Sequence, residues 1–377
     1  MGQRAKRWSW VVAGIVTAGA CGGDDGGGDA TGASTAGTVG TTAATAGDGG
    51  PDGGPSSEPG PADSSSGATT SGATSTTDEG SDSGSGTAGV DPGPMVDVSD
   101  PQLYEYEFPP SDADDAVSTH DATQLAHLDT TVTPVGRLVV YLHGAGTPTT
   151  CGSRDHGEML AGLGFHVLAP CYVSDYGVGN CGDDIGGCRL EAFEGIDHSP
   201  VIDIAPPDSI EVRVVKGLQY LQELQPGGDW QYYVDGDAPR WDKIVISGIS
   251  HGASTSGLVG MNRSVDRVVS LSGPLDSGQA WLSGVPTTPI DRFYALTHTG
   301  DDQHAGHLQS FADMMLPGGP AVIDDAAPPY GDSHRLVTSA PTGNGHSSTQ
   351  AGGASPVDGN GDWQFLPAWR YMYGIDP

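Results

Sequence analysis

Ser250 stands in KIVISGISHGAS, residues 243–254, where a short β-branched run meets Gly248-Ile249-Ser250-His251-Gly252 and then a run of small residues. A strand that turns sharply into a helix, with Ser at the apex and Gly two residues to either side, is a nucleophile elbow. A Ser hydroxyl is a weak nucleophile until a base takes its proton, and the base needs an orienting acid. The chain carries such groups in one order. His143-Gly144-Ala145-Gly146 precedes Ser250; Asp301-Asp302 follows in ALTHTGDDQH; His346 follows in GNGHSS. The chemistry these residue types can perform together is attack on a carbonyl carbon.

Positioning them requires strands that end just before each group. Leu103 to Phe108 alternates well enough for an early edge strand. Arg137 to Leu142 is a continuous apolar run ending at His143, and Phe165 to Ala169 is the next. The elbow strand follows, then Arg267 to Leu271, Arg292 to Leu296 and Arg335 to Val337. Helical segments are expected at 155–164, 208–224, 305–315 and 365–374. In 208–224, Val212, Val215, Leu218, Leu221 and Leu224 lie near one stripe, with Asp208 as N-cap. Apolar strands alternating with helices imply an α/β fold with a mostly parallel sheet covered on both faces.

The order Ser, Asp, His resembles that of the α/β-hydrolases, and residues 101–377 resemble a secreted bacterial esterase or lipase of that superfamily. The elbow and the His143–Gly146 loop carry the resemblance. It implies that Ser250 attacks, that His346 acts as general base and then general acid, and that Asp302 orients His346. Asp302 is preferred because His298-Thr-Gly-Asp-Asp302 is spaced like the family's H-G-T-x-D loop; Asp301 is the alternative. The oxyanion hole would be the backbone N–H of His251 with that of Ala145 or Gly144. The chemistry needs no cofactor. Rival readings are a peptidase or amidase on the same residues, and a non-catalytic binding module of the same fold.

Other histidines compete for attention. His334 rivals His346 but begins the last strand. His251 is beside Ser250, but neighbouring side chains on a tight elbow diverge, so it is not expected to be the base, and His143 is expected to fix its loop. His298, His304 and His307 lack a third ligand of clear metal spacing, so no metal is expected. Residues 173–207 interrupt the pattern as an insertion, either a flap rimming the site or a surface excursion. The four cysteines at 151, 171, 181 and 188 suggest two disulfides with three possible connectivities. Cys181–Cys188 with Cys151–Cys171 is preferred.

Arg4, Lys6 and Arg7 precede a short apolar stretch ending in Ala18-Gly19-Ala20-Cys21. This reads as a signal peptide over 1–20. The small residues before Cys21 resemble a bacterial lipobox, which implies a diacylated Cys21; an ordinary signal cleavage nearby is the alternative. Gly22 after the Cys resembles the outer-membrane sorting signal of Gram-negative lipoproteins. Residues 21–95 form an acidic Gly/Ser/Thr/Pro-rich linker expected to stay disordered, since it can bury too little apolar area to offset chain entropy. The hydrolase domain is expected over 96–377. Removing residues 1–20 deletes three positive charges and no acid, taking the formal charge from −33 to −36. That charge disfavours nucleic acid and anionic headgroups as partners. The expectation is a monomer acting on a small-molecule or polymer ester, at the outer membrane or cell surface through the lipid on Cys21, or else secreted. Mass spectrometry of the mature protein should find diacylated Cys21 at the N-terminus; a different first residue refutes lipidation.

Overall fold

A computed structural model describes residues 91–375. The expected signal peptide, Cys21 and nearly all of the linker lie outside these residues. In chain order the described part runs β1 (Leu103–Phe108), α1 (Pro110–Ala113), β2 (Gln124–Asp129), β3 (Leu138–Leu142), α2 (Arg154–Gly162) and β4 (His166–Ala169). It continues with α3 (Val178–Cys181), α4 (Ile185–Glu194), α5 (Ile210–Leu224), a hairpin of β5 (Val234–Asp235) and β6 (Ala238–Pro239), β7 (Ile244–Ile249) and α6 (His251–Asn262). Then follow β8 (Arg267–Leu271), β9 (Phe293–His298), α7 (His304–Asp313), β10 (Ala321–Val322), β11 (Arg335–Thr338) and α8 (Leu366–Tyr373).

Nine strands form one sheet in the order β1-β2-β4-β3-β7-β8-β9-β11-β10. Pairing is antiparallel at β1–β2 and β2–β4 and parallel elsewhere. This is the α/β-hydrolase arrangement. The central strands, LVVYL and IVISGI, are buried along their whole length, as strands covered on both faces must be. Side chains alternate between two cores. Leu138, Val140 and Leu142 of β3 face a core with Val214 and Leu218 of α5 and Val259 of α6. Val139 and Tyr141 face the other, with Leu160 of α2 and Trp369 and Met372 of α8.

Register decides where the chemistry collects. Leu142 pairs with Gly248, Ile249 with Leu271, Leu271 with Leu296, and His298 with Thr338. The carboxyl ends of five parallel strands therefore finish along one edge. His143, Ser250, Asp301 and the segment carrying His346 all follow from that edge, where α/β sheets bind ligands.

Three local expectations change. Ser209, not Asp208, caps α5, its hydroxyl accepting from Val212 N; Asp208 instead takes the Arg213 guanidinium at 2.8 Å. Strand β2 was not expected, because QLAHLD lacks a clean period; it is stabilised by pairing on both sides. Helix α4 was not expected within the insertion.

Two buried histidines make the fold acid-sensitive. His156 Nδ1 accepts from Ala351 N at 3.0 Å, and its Nε2 lies 3.0 Å from the Tyr373 hydroxyl. His166 Nε2 donates to Gly228 O at 2.8 Å, with the Tyr233 hydroxyl at 2.9 Å from Nδ1. Burial lowers their pKa values from 6.5 to about 3 and about 4. The folded values lie below the unfolded one, so this stability is intact above pH 6.5 and is lost as pH falls toward 4. At pH 5 the loss is about 2 kcal/mol per histidine. The urea midpoint should drop between pH 7 and pH 5, and drop less in His156→Gln/His166→Gln. A midpoint independent of pH across that range contradicts this.

Candidate active site

Ser250 joins β7 to α6 at φ 58° and ψ −119°. Such a conformation costs a non-glycine residue on the order of 1–3 kcal/mol. Close approach imposes it. A Cβ on Gly248 would lie 2.6 Å from the Leu142 carbonyl oxygen, and one on Gly252 would lie 2.1 Å from the same atom. The turn thus crosses the end of β3 where only glycine fits. The Ser250 N–H donates to Leu271 O at 2.9 Å, which ties the apex to β8.

His251 opens α6, so its N–H has no acceptor within the helix. Its ring is buried at 4.7 Å from Tyr176, and burial holds its pKa well below the usual histidine range. The ring belongs to the packing. Across from the elbow, Gly144 lies so near that a Cβ there would be 3.5 Å from Ser250 Cβ and 3.9 Å from Ser250 Oγ. Ala145 follows it, exposed. The Ser174 hydroxyl donates its one proton to Gly146 O at 3.0 Å, with Gly144 O also within reach at 3.3 Å, and Tyr172 donates to His143 O at 2.7 Å. These bonds occupy the loop's carbonyls. The sequence reading missed Ser174 and Tyr172; both follow β4, the strand beside β3.

The carboxylate beside His346 is not the one preferred from the sequence. Asp301, not Asp302, lies beside His346, with Asp301 Oδ2 at 2.7 Å from His346 Nδ1. The turn after β9, closed by Asp301 N donating to His298 O, buries the Asp301 side chain and leaves Asp302 exposed. Gln303 N donates to the other Asp301 oxygen at 2.9 Å. A carboxylate accepting at Nδ1 puts the proton there and leaves Nε2 with a lone pair, the tautomer a base needs. The His346 carbonyl accepts from Ser272 Oγ at 2.7 Å, and Ser272 directly follows β8. This anchors the loop carrying His346 to the strand that also holds Ser250. No hydrogen bond joins the Ser250 hydroxyl to His346 among the described residues.

The rival histidines have structural roles. His334 Nδ1 bonds Phe293 O and its ring stacks on Tyr294. His298 accepts from Gly300 N and donates to Ala340 O, which shapes the turn carrying Asp301. His304 and His307 both turn toward Thr297 Oγ1. His307 Nδ1 also lies 3.8 Å from Asp301 Oδ2, and burial lowers its pKa to about 4. Among the described residues no group of three or more His, Cys, Asp or Glu is arranged to hold a metal ion.

The insertion packs against the elbow helix. Both preferred disulfides are present, Cys151–Cys171 and Cys181–Cys188. Next to Cys188, Arg189 makes a buried bidentate pair with Asp276 at 2.7 and 2.9 Å. It also donates to His251 O and Thr255 Oγ1 at 3.2 and 3.1 Å, so α4 is stapled to the first turn of α6. Burial works against the charge on Arg189, but Asp276 outweighs it and raises the guanidinium pKa.

No protein-family model matches the chain, and no curated protein matches its sequence. Solved structures resemble it at low identity. A feruloyl esterase module from Clostridium thermocellum is 12% identical with a TM-score of 0.34, covering 65% of this chain and 82% of its own. Esterase 2 of Thermogutta terrifontis is 13% identical with a TM-score of 0.35, covering 74% and 92%. An S-formylglutathione hydrolase from Agrobacterium tumefaciens is 12% identical with a TM-score of 0.34, covering 58% and 83%.

Removing one partner of the staple leaves a buried charge unpaired. Arg189→Met should cost about 3–5 kcal/mol in denaturant unfolding, and Arg189→Met/Asp276→Leu should recover most of it. A loss below about 1 kcal/mol in the single variant contradicts a buried, paired Arg189.

Proposed function

We propose that this chain is an exported serine hydrolase that cleaves a carboxylic ester through an acyl-enzyme intermediate, with Ser250, His346 and Asp301 as its triad. One observation carries the reading: a strained serine and a carboxylate–histidine pair leave the same edge of one sheet. Ser250 Oγ attacks the ester carbonyl carbon as His346 Nε2 takes its proton. Asp301 holds the tautomer and stabilises the imidazolium. The oxyanion is met by the His251 N–H and by that of Gly144 or Ala145, each donor worth about 3–4 kcal/mol in the transition state. His346 then returns the proton to the leaving alcohol. Water attacks the acyl-enzyme, with His346 again as base, and frees Ser250. We read the chain as held at the outer membrane or cell surface through lipid on Cys21, with the linker as spacer.

A fluorophosphonate probe should label the wild-type chain and neither Ser250→Ala nor His346→Ala. Labelling of Ser250→Ala equal to wild type sinks the reading. Asp301→Asn should lower kcat on a short-chain ester by about 10⁴-fold, the scale for a triad acid made neutral. Asp302→Asn should change it by less than about threefold, since an exposed carboxylate off the hydrogen-bonded path is a surface substitution. The reverse ranking would restore Asp302 as the acid.

A further inference from the structure

A second imidazole stands beside the Asp301–His346 pair. Asp301 lies in the turn between β9, which carries Thr297, and α7, which carries His304 and His307. His304 and His307 are three residues apart and so share a face of α7, and both turn toward Thr297 Oγ1. His307 Nδ1 lies 2.9 Å from Thr297 Oγ1 and 3.8 Å from Asp301 Oδ2. That oxygen is the one 2.7 Å from His346 Nδ1. One carboxylate oxygen therefore has two imidazole nitrogens near it, one hydrogen-bonded and one in electrostatic contact. The His307 and Asp301 side chains are 0% and 3% exposed, so water does not screen that contact.

The surroundings of His307 decide where its proton sits. A hydroxyl has one proton, so Thr297 can donate to only one of the two imidazoles, at 2.9 and 3.2 Å. His307 Nε2 is buried and has no partner among the described residues. A proton there would be an unsatisfied buried donor, whereas on Nδ1 it meets Thr297 Oγ1 and faces the Asp301 carboxylate. Nδ1 therefore carries it, and Thr297 gives its own proton to His304 Nδ1. Burial keeps the His307 ring neutral, lowering its pKa to about 4.

Asp301 needs such a neighbour. A carboxylate has about four lone-pair sites, and this buried one is hydrogen-bonded by His346 Nδ1 and Gln303 N. The His307 N–H places a third positive pole beside it, on the oxygen that serves His346.

We propose that His307 is a positioning residue for the triad: held by Thr297, its Nδ1–H fixes the rotation of the Asp301 carboxylate so that Oδ2 meets His346 Nδ1. His307 touches no reacting atom and acts through Asp301. The proposal rests on the hydrolase reading for its effect on rate, though not for the placement of the proton.

The test reads both. NMR of the full-length wild-type chain with ¹⁵N-labelled histidine should show His307 as the neutral Nδ1–H tautomer, and the His346 Nδ1 proton far downfield. A His307 protonated on Nε2, or a cationic one at neutral pH, overturns the proposal. His307→Asn keeps an N–H near the Nδ1 position, His307→Gln moves it to the Nε2 position, and His307→Leu removes it. With p-nitrophenyl acetate, the Leu and Gln variants should lose about tenfold in kcat with KM little changed, while Asn stays within about threefold of wild type. The downfield proton should persist in the Asn variant and be lost in the other two. Equal losses in Asn and Gln, or none in Leu, overturn the positioning role. Adding His307→Leu to Asp301→Asn should cost less than about twofold, because the residue it acts through is already neutral. A full tenfold loss there shows an action not routed through Asp301 and overturns the proposal. Should no variant at 307 fold, the tautomer in the wild-type chain decides. Failure of the fluorophosphonate to label wild type would defeat the hydrolase reading alone, and the two NMR signatures would still decide the placement.

Discussion

The constraint on which the rest depends is the close approach of the β7–α6 turn to the carboxyl end of β3. Neither Gly248 nor Gly252 can carry a side chain there, because the Leu142 carbonyl occupies the space. That contact forces Ser250 into a positive φ and lifts it above the sheet edge. It also sets the start of α6, and hence the position of the His251 N–H. A turn relaxed by even an ångström would lose both the serine's exposure and its distance to Gly144. The strain persists because neighbouring strands over-determine it: Leu271 accepts the Ser250 N–H, and β3 and β8 pair with β7 along their lengths.

Around this point the molecule is cross-tied by buried charges as well as apolar packing. Arg189 with Asp276 fastens the insertion to α6, and Arg213 with Asp208 fastens the segment before β2 to the end of β4. Such pairs add little net stability when compared with apolar replacements, since desolvating two ions offsets their attraction. Their value here is geometric. Arg213 spends its remaining donors on the carbonyls of Thr119, His120 and Cys171, and Arg189 on the His251 carbonyl and the Thr255 hydroxyl. The two disulfides act on the same loops. The result is a rigid rim at the edge of the sheet where loops would otherwise be the most mobile part of an α/β fold.

Much of this was legible in the chain. The elbow and the apolar strands behind each chemical group follow from local patterns; the disulfide pairing was one preference among three connectivities, and the fold selects it. The strand QLAHLD did not announce itself, because its stability comes from partners on both sides. Helix α4 was hidden in a Gly- and Asp-rich insertion whose order depends on Arg189 and on buried Glu191, which accepts three backbone N–H groups. Asp208 looked like a helix cap and is instead an ion-pair partner, since Ser209 one residue later can cap equally well.

Sequence alone determined the residue types, their order and the strand each one follows, because hydrophobic period and glycine spacing are local properties. Tertiary structure alone decided which of two adjacent carboxylates is hydrogen-bonded to His346. Asp301 and Asp302 are chemically identical neighbours. The turn closed by the His298 carbonyl buries one of them and exposes the other, and that choice depends on where the loop carrying His346 packs, some 45 residues further along the chain.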